Sequence, residues 1–186
     1  LDLMLLGESS ALLRNQGTEG FADRSQDFPF VKATATGAAS FRLIPDTKGM
    51  DLAVAYQGRT GVLYRDLLGG KFEAQPLAGL PAGATSIMPA DADHNSTVDL
   101  FHKAGGKTEL LLNTSTGITA GQLRPAGPGA ASIAGLLAWA SADFNADGQP
   151  DIASFTTEGA VQLETNQTAT KNAWIRVVLN GVKNPK

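Results

Sequence analysis

The sequence predicts an all-β fold built from about four β-propeller blades. Three observations predict it: a unit recurring about every 50 residues, short apolar runs bounded by turn residues inside each unit, and acidic turns leading into the Asp-headed runs at Asp99 and Asp151. The segments Asp2-Leu-Met-Leu-Leu6, Asp51-Leu-Ala-Val-Ala55, Asp99-Leu-Phe-His102 and Asp151-Ile-Ala-Ser-Phe155 line up. A second apolar run follows each: Ala11-Leu-Leu-Arg14, Gly61-Val-Leu-Tyr-Arg65, Glu109-Leu-Leu-Leu-Asn113 and Ala160-Val-Gln-Leu-Glu164. A third begins at Gly20-Phe21 in the first unit and at Lys71-Phe72 in the second. The opening strands are read at Ala39-Ser-Phe-Arg-Leu-Ile44, Thr85-Ser-Ile-Met88 and Leu137-Ala-Trp-Ala140. The first unit lacks one. Connectors such as Leu80-Pro-Ala-Gly83 and Arg124-Pro-Ala-Gly-Pro-Gly129 punctuate the units. The units span 1–36, 37–82, 83–132 and 133–168, with a tail at 169–186. A β-sandwich is the alternative, but it gives no reason for a period, whereas a blade buries both faces against its neighbours. Small and branched residues (Ala33, Ala35, Ala38, Ala39, Ala53, Val54, Ala55) suit that crowding.

Two turns place oxygen donors on alternate residues: Asp143-Phe-Asn145-Ala-Asp147-Gly148-Gln149-Pro-Asp151 and Asp91-Ala-Asp93-His-Asn95-Ser-Thr97-Val-Asp99. A hard cation such as Ca²⁺ takes six to eight oxygens at roughly 2.4 Å, from carboxylates, amides and backbone carbonyls. An EF-hand would put a bidentate Glu at the twelfth position; Ser154 and His102 stand there instead, and strands rather than helices follow. The reading is therefore a cation-binding turn between strands. Gly148 allows a sharp turn, and Ser96 takes its place in the earlier turn, where left-handed backbone costs about 1 kcal/mol. The turn at Pro45-Asp46-Thr-Lys48-Gly49-Met-Asp51 has lost its early donors, and Lys48 is read either as an ammonium in the cation's place or as a plain solvated lysine.

Composition narrows the function. Of 18 acidic residues, Asp91, Asp93, Asp99, Asp143, Asp147 and Asp151 fall in two short turns, which fits local cation binding better than general solubility. The net charge of −3 and the lack of a basic block give no support for nucleic acid or anionic membrane as partner. With no cysteine, thiolate metal sites and disulfides are excluded. No apolar stretch is long enough to span a bilayer as a helix. His94 and His102 are the only histidines, and no Ser/His/Asp order, zinc motif or phosphate loop is present. The chain is therefore expected not to be an enzyme. Asn95, Asn113 and Asn166 head glycosylation sequons, and Trp139 and Trp174 could stack on a sugar ring.

Asp-x-Asn-x-Asp-Gly-x-x-Asp followed by Ile-Ala-Ser-Phe, at this period, resembles the FG-GAP/VCBS repeat family over residues 1 to about 168. Leu12-Leu-Arg-Asn15-Gln-Gly17-Thr-Glu-Gly20-Phe21 resembles the same family's second-half signature. Asn172-Ala-Trp174-Ile-Arg-Val177-Val-Leu179-Asn-Gly181 resembles the start of the ASPIC/UnbV segment of cartilage acidic protein-like and bacterial relatives, with Ala173 where a His is expected. The resemblance implies part of a larger propeller of about seven blades, located outside the cell, in the periplasm or at the cell surface, with structural Ca²⁺. The family pattern and the donor spacing assign Asp143, Asn145, Asp147, Asp151 and the Gln149 carbonyl to a strong site. They assign Asp91, Asp93, Asn95, Asp99 and the Thr97 carbonyl to a weaker one. Affinity is expected near 10⁻⁵ to 10⁻³ M, as in extracellular modules. The expected role is a non-catalytic calcium-binding module for protein–protein, adhesive or scaffolding contact. A propeller lectin, or the accessory propeller of a polysaccharide-active enzyme, is the alternative. Open blade edges are expected to favour self-association.

Overall fold

The computed structural model describes residues 2–45, 48–114, 117–121, 123–125, 135–175 and 177–178. Among them it is all-β: four antiparallel sheets of three or four strands. The first sheet is β1 (Leu3–Leu5), β2 (Ala11–Asn15) and β3 (Phe21–Asp23), in that order. The second is β4 (Ala35–Phe41), β5 (Asp51–Tyr56), β6 (Arg59–Asp66) and β7 (Phe72–Pro76). The third is β8 (Ser86–Ala90), β9 (Asp99–Ala104), β10 (Lys107–Thr114) and β11 (Gly117–Ala120). The fourth draws on β12 (Leu123–Pro125), β13 (Leu136–Ala142), β14 (Asp151–Thr156) and β15 (Val161–Asn166), in the order β12-β15-β14-β13.

The boundary expected at 132 does not follow the sheets. Residues 123–125, read as the end of the third unit, pair with β15 of the fourth, from Leu123 opposite Asn166 to Pro125 opposite Glu164. β11 already completes the third sheet on β10, whereas β15 has an edge to cover. Pro125 donates no hydrogen bond, which an edge strand tolerates.

The sheets stack face to face in chain order, because alternate side chains of each central strand go to opposite neighbours. Met4 and Leu12 of the first sheet, with Leu6 just after β1, join Val54, Tyr56, Val62 and Tyr64 of the second, with Phe28 closing the cluster. Ala53, Ala55 and Leu63 turn the other way and meet Ile87, Leu100 and Leu111 of the third. Phe101, Leu110 and Leu112 then meet Ile152 of the fourth, with Trp139 packed against them. One leucine position therefore recurs as Leu12, Leu63 and Leu110, each directed at the following sheet.

The repeated aspartate holds each unit together. Asp51 Oδ2 accepts the Leu43 N–H at 2.9 Å and its Oδ1 the Asp66 N–H at 2.9 Å. Asp99 accepts from Ala92 (2.6 Å) and Asn113 (2.7 Å). Asp151 accepts from Phe144 (3.0 Å) and Asn166 (2.9 Å). Asp2 Oδ1 accepts the Asn15 N–H at 2.9 Å. One carboxylate thus ties the turn before its strand to the end of the next strand, and all three in the later sheets are buried.

A second repeated group crosses between sheets. Asn113 Nδ2 donates to the Leu43 carbonyl of the preceding sheet at 2.8 Å, and Asn166 Nδ2 to the Ala92 carbonyl at 2.8 Å. Leu43 and Ala92 are the same residues whose amides bond Asp51 and Asp99. Between the third and fourth sheets, Lys103 Nζ also meets Glu164 Oε2 at 3.1 Å, and both bond Thr108 Oγ1. Replacing Asp51 by Ala leaves two inward amides without an acceptor and should cost about 2–4 kcal/mol. Urea denaturation checks this; a loss below the cost of an ordinary surface substitution would contradict the tie.

Candidate metal centre in the acidic turns

The two acidic turns fold alike because their short polar side chains bond the backbone ahead of them. In the later turn Asp143 Oδ1 accepts the Asp147 N–H (3.1 Å) and Oδ2 the Gly148 N–H (3.0 Å). In the earlier turn Asp91 does the same for Asn95 (3.2 Å) and Ser96 (3.0 Å). Each following donor then accepts the amide two residues on: Asn145 from Asp147, Asp147 from Gln149, Asp93 from Asn95, Asn95 from Thr97. Two left-handed residues per turn make the curl: His94 (φ 59°) and Ser96 (67°), Ala146 (62°) and Gly148 (91°). The sequence flagged positions 96 and 148. It did not flag His94 or Ala146, where the side-chain bonds hold non-glycine residues in a costly region.

Asp91, Asp93 and Asp99 each bring a carboxylate oxygen within 4.8 Å of the others. That spacing suits one cation, since oxygens on opposite sides of an ion at roughly 2.4 Å stand about that far apart. The donor set is all oxygen, which fits a hard ion such as Ca²⁺ and not a soft one. Asp99 has its carboxyl pushed up to about 6, by burial first, with the charges of Asp93 and Asp91 adding to it while its two amide donors oppose. A divalent ion relieves that crowding.

The later turn, ranked first by sequence, is arranged differently. Its second donor is Asn145 where the earlier turn has Asp93, and Asn145 Nδ2 donates to Asp147 Oδ2 at 2.9 Å. Among the described residues Asp143, Asp147 and Asp151 do not come together as the earlier three do. Thr97 and Gln149 occupy matching places in the two turns, and the Thr97 hydroxyl also bonds the Asn113 carbonyl at 2.7 Å. In the second unit Lys48 is exposed, and Asp46 lies outside the described residues.

The tail lies across both turns. Thr170 Oγ1 (2.5 Å) and Asn172 Nδ2 (2.9 Å) donate to the Asp93 carbonyl. The Trp174 indole sits on Gly148, where a Cβ would overlap it, so glycine there serves packing as well as the turn. Of the ASPIC/UnbV-like run, Arg176 and residues 179–181 lie outside the described residues. Beside the earlier turn, Asp93, Asn95 and Thr97 line an open cleft of about 700 Å³ with Leu43, Ile44 and Pro45.

The strand-end asparagines were legible only as sequons. Asn113 and Asn166 are buried with their amides engaged, and Asn95 Nδ2 donates to the Asn113 carbonyl at 2.9 Å. The burial of Asn113 and Asn166 leaves no space for a glycan on either amide nitrogen. Their recurrence at one place in the unit was the signal to follow. Trp139 packs into the core and holds Lys103 Nζ 5.8 Å from its ring centre, which leaves it unavailable as a sugar platform.

No protein-family model matches the chain, and no curated protein matches it.

His102 is fully buried in the face toward the second sheet, with Nε2 bonded to Glu109 Oε2 at 3.1 Å and Nδ1 without a partner among the described residues. A carboxylate only accepts, so the ring proton sits on Nε2. Burial lowers its pKa from 6.5, and the nearby Glu109 carboxylate opposes that shift. The stability gained by holding the ring neutral is present above 6.5 and lost as pH falls below it, because the unfolded chain takes up the proton first. Thermal midpoints of the parent should fall more from neutral to mildly acid pH than those of His102→Leu. Equal slopes would contradict the assignment.

Proposed function

We propose that this chain is a non-catalytic module of the FG-GAP/VCBS propeller type, in which calcium stiffens the turns that present its surface to a protein or glycan partner. The observation that carries the reading is the meeting of Asp91, Asp93 and Asp99 within 4.8 Å on a turn whose backbone is preshaped by their own hydrogen bonds. Four sheets stacked in chain order, each with the same aspartate tie, accord with blades of one repeat family.

Asp91, Asp93 and Asp99 would hold the ion, with Asn95 and Thr97 beside them. Bound there, the cation supplies positive charge that cancels the repulsion of three carboxylates and locks the turn. The turn rests on Asn113, which reaches back to the preceding sheet, and on the tail through the Asp93 carbonyl. A stiffened turn therefore steadies the joint between sheets and the wall of the adjoining cleft. That gives the ion a structural role and the cleft a fixed shape for a partner.

Calcium at a hundredfold excess over its dissociation constant should stabilise the fold by about 2.7 kcal/mol per site. Asp93→Asn keeps the side-chain acceptor for Asn95 but removes one charge, and should lose most of that gain. Asp143→Asn should lose less. Calorimetric titration with parallel melting curves checks this. Absence of both heat and upshift, or greater loss in Asp143→Asn, would overturn the assignment.

A further inference from the structure

We propose that residues 168–174 form a strap across the two acidic turns, fastened by the ion in the earlier turn and freed by its loss. The calcium dependence of this strap rests on the reading proposed for Asp91, Asp93 and Asp99, and extends it to a segment outside that donor set. The strap is rooted at the joint between the third and fourth sheets. Asn166 is buried there, with Nδ2 on the Ala92 carbonyl at 2.8 Å and Oδ1 accepting the Thr168 N–H at 3.0 Å. Thr168 is buried as well. From that root the chain crosses to the earlier turn, where Thr170 and Asn172 both donate to the Asp93 carbonyl. It then returns to the later turn, where Trp174 lies on Gly148.

Asp93 couples the strap to the ion. Its carboxylate is one of the three that gather within 4.8 Å, and its carbonyl is the anchor of the strap. The two ends of this residue are tied together. Asp93 Oδ1 accepts the Asn95 N–H at 3.1 Å, and His94 between them is held in left-handed backbone at φ 59°. Without a cation the charges of Asp91, Asp93 and Asp99 repel one another, which drives Asp93 outward and carries off the carbonyl that two donors share. With a cation the charges are cancelled and the carbonyl stays where Thr170 and Asn172 reach it.

The contacts of the strap are few enough for the ion to decide. Beyond its root it makes two neutral hydrogen bonds to one carbonyl, each of small net worth because water offers the same bonds. The Trp174 side of the contact is 43% exposed, and Ile175 beyond it is 86% exposed. Each turn also keeps a buried polar atom without a partner among the described residues: His94 Nε2 in the earlier, Gln149 Oε1 in the later. Both belong to residues next to those the strap touches. Such atoms carry an uncompensated desolvation cost, which weighs against the closed joint.

Proteolysis of the 186-residue chain, read beside calorimetry with calcium, tests the strap. Lys171 is exposed between the two donors, and Lys71, exposed between β6 and β7, serves as reference. A lysine-specific protease samples the open population at each site, so calcium should slow cleavage at Lys171 about tenfold relative to Lys71. Thr170→Val combined with Asn172→Leu removes both donors and should keep the parent's circular dichroism. It should lose the protection at Lys171 and, because coupling between sites is reciprocal, bind calcium about tenfold more weakly. Should it misfold, Trp174→Ala, which removes the contact on Gly148, serves the same comparison. Calcium heat with unchanged relative cleavage at Lys171 would overturn the strap and leave the calcium site standing. So would equal calcium affinity in the parent and the strap variant. Absence of calcium heat would overturn both.

Discussion

The structure depends on a buried aspartate that accepts two backbone amides from opposite sides. Asp51, Asp99 and Asp151 each open a central strand, and each joins the preceding turn to the end of the next strand. Bonds from a carboxylate to amides are strong, and breaking one leaves buried donors exposed to their full desolvation cost. The aspartate fixes the ends of hairpins whose strands run six to eight residues, and Ala53 and Ala55 of one such strand pack against the third sheet.

The acidic turns are built on that tie. Because Asp99 already binds Ala92 and Asn113, its carboxylate sits in the floor of the turn, and Asp91 and Asp93 curl over it. Burial and like charge then push the Asp99 carboxyl up to about 6. One carboxylate thus serves the fold and gathers negative charge at the floor of the turn. Asp151 has the same position and the same two amides, yet its turn carries Asn145 where Asp93 would be. Each turn carries three aspartates and one asparagine, but the order Asp93, Asn95 is reversed to Asn145, Asp147, and the later turn closes on itself through that pair.

Much of the fold was legible because the hydrophobic runs alternate and recur. The strands after Asp2, Asp51, Asp99 and Asp151 lie where the period placed them, as do the strands that follow. β12 was not legible: Arg124 and Pro125 read as the start of a Pro/Gly-rich connector, and three residues carry no sign of which edge they will join. The donors of the turns were legible as a set, but their ranking was not. The presence of Gly148 favoured the later turn, whereas side-chain bonds hold Ser96 and His94 in left-handed backbone at the earlier one. Asn113 and Asn166 read as sequons because a short motif says nothing of burial, and their cross-sheet role required the stack itself. The Lys103–Glu164 pair joins residues far apart in sequence and left no local trace.

The central claim is that a divalent ion completes the turn at residues 91–99. Amide nuclear magnetic resonance spectra recorded with and without calcium test it most directly. The account predicts shifts concentrated at Ala92, Asn95, Ser96 and Asn113, the amides held by Asp91, Asp93 and Asp99, with the Asp51 tie unmoved. Spectra unchanged at millimolar calcium, or shifts scattered over the surface without this focus, would contradict it.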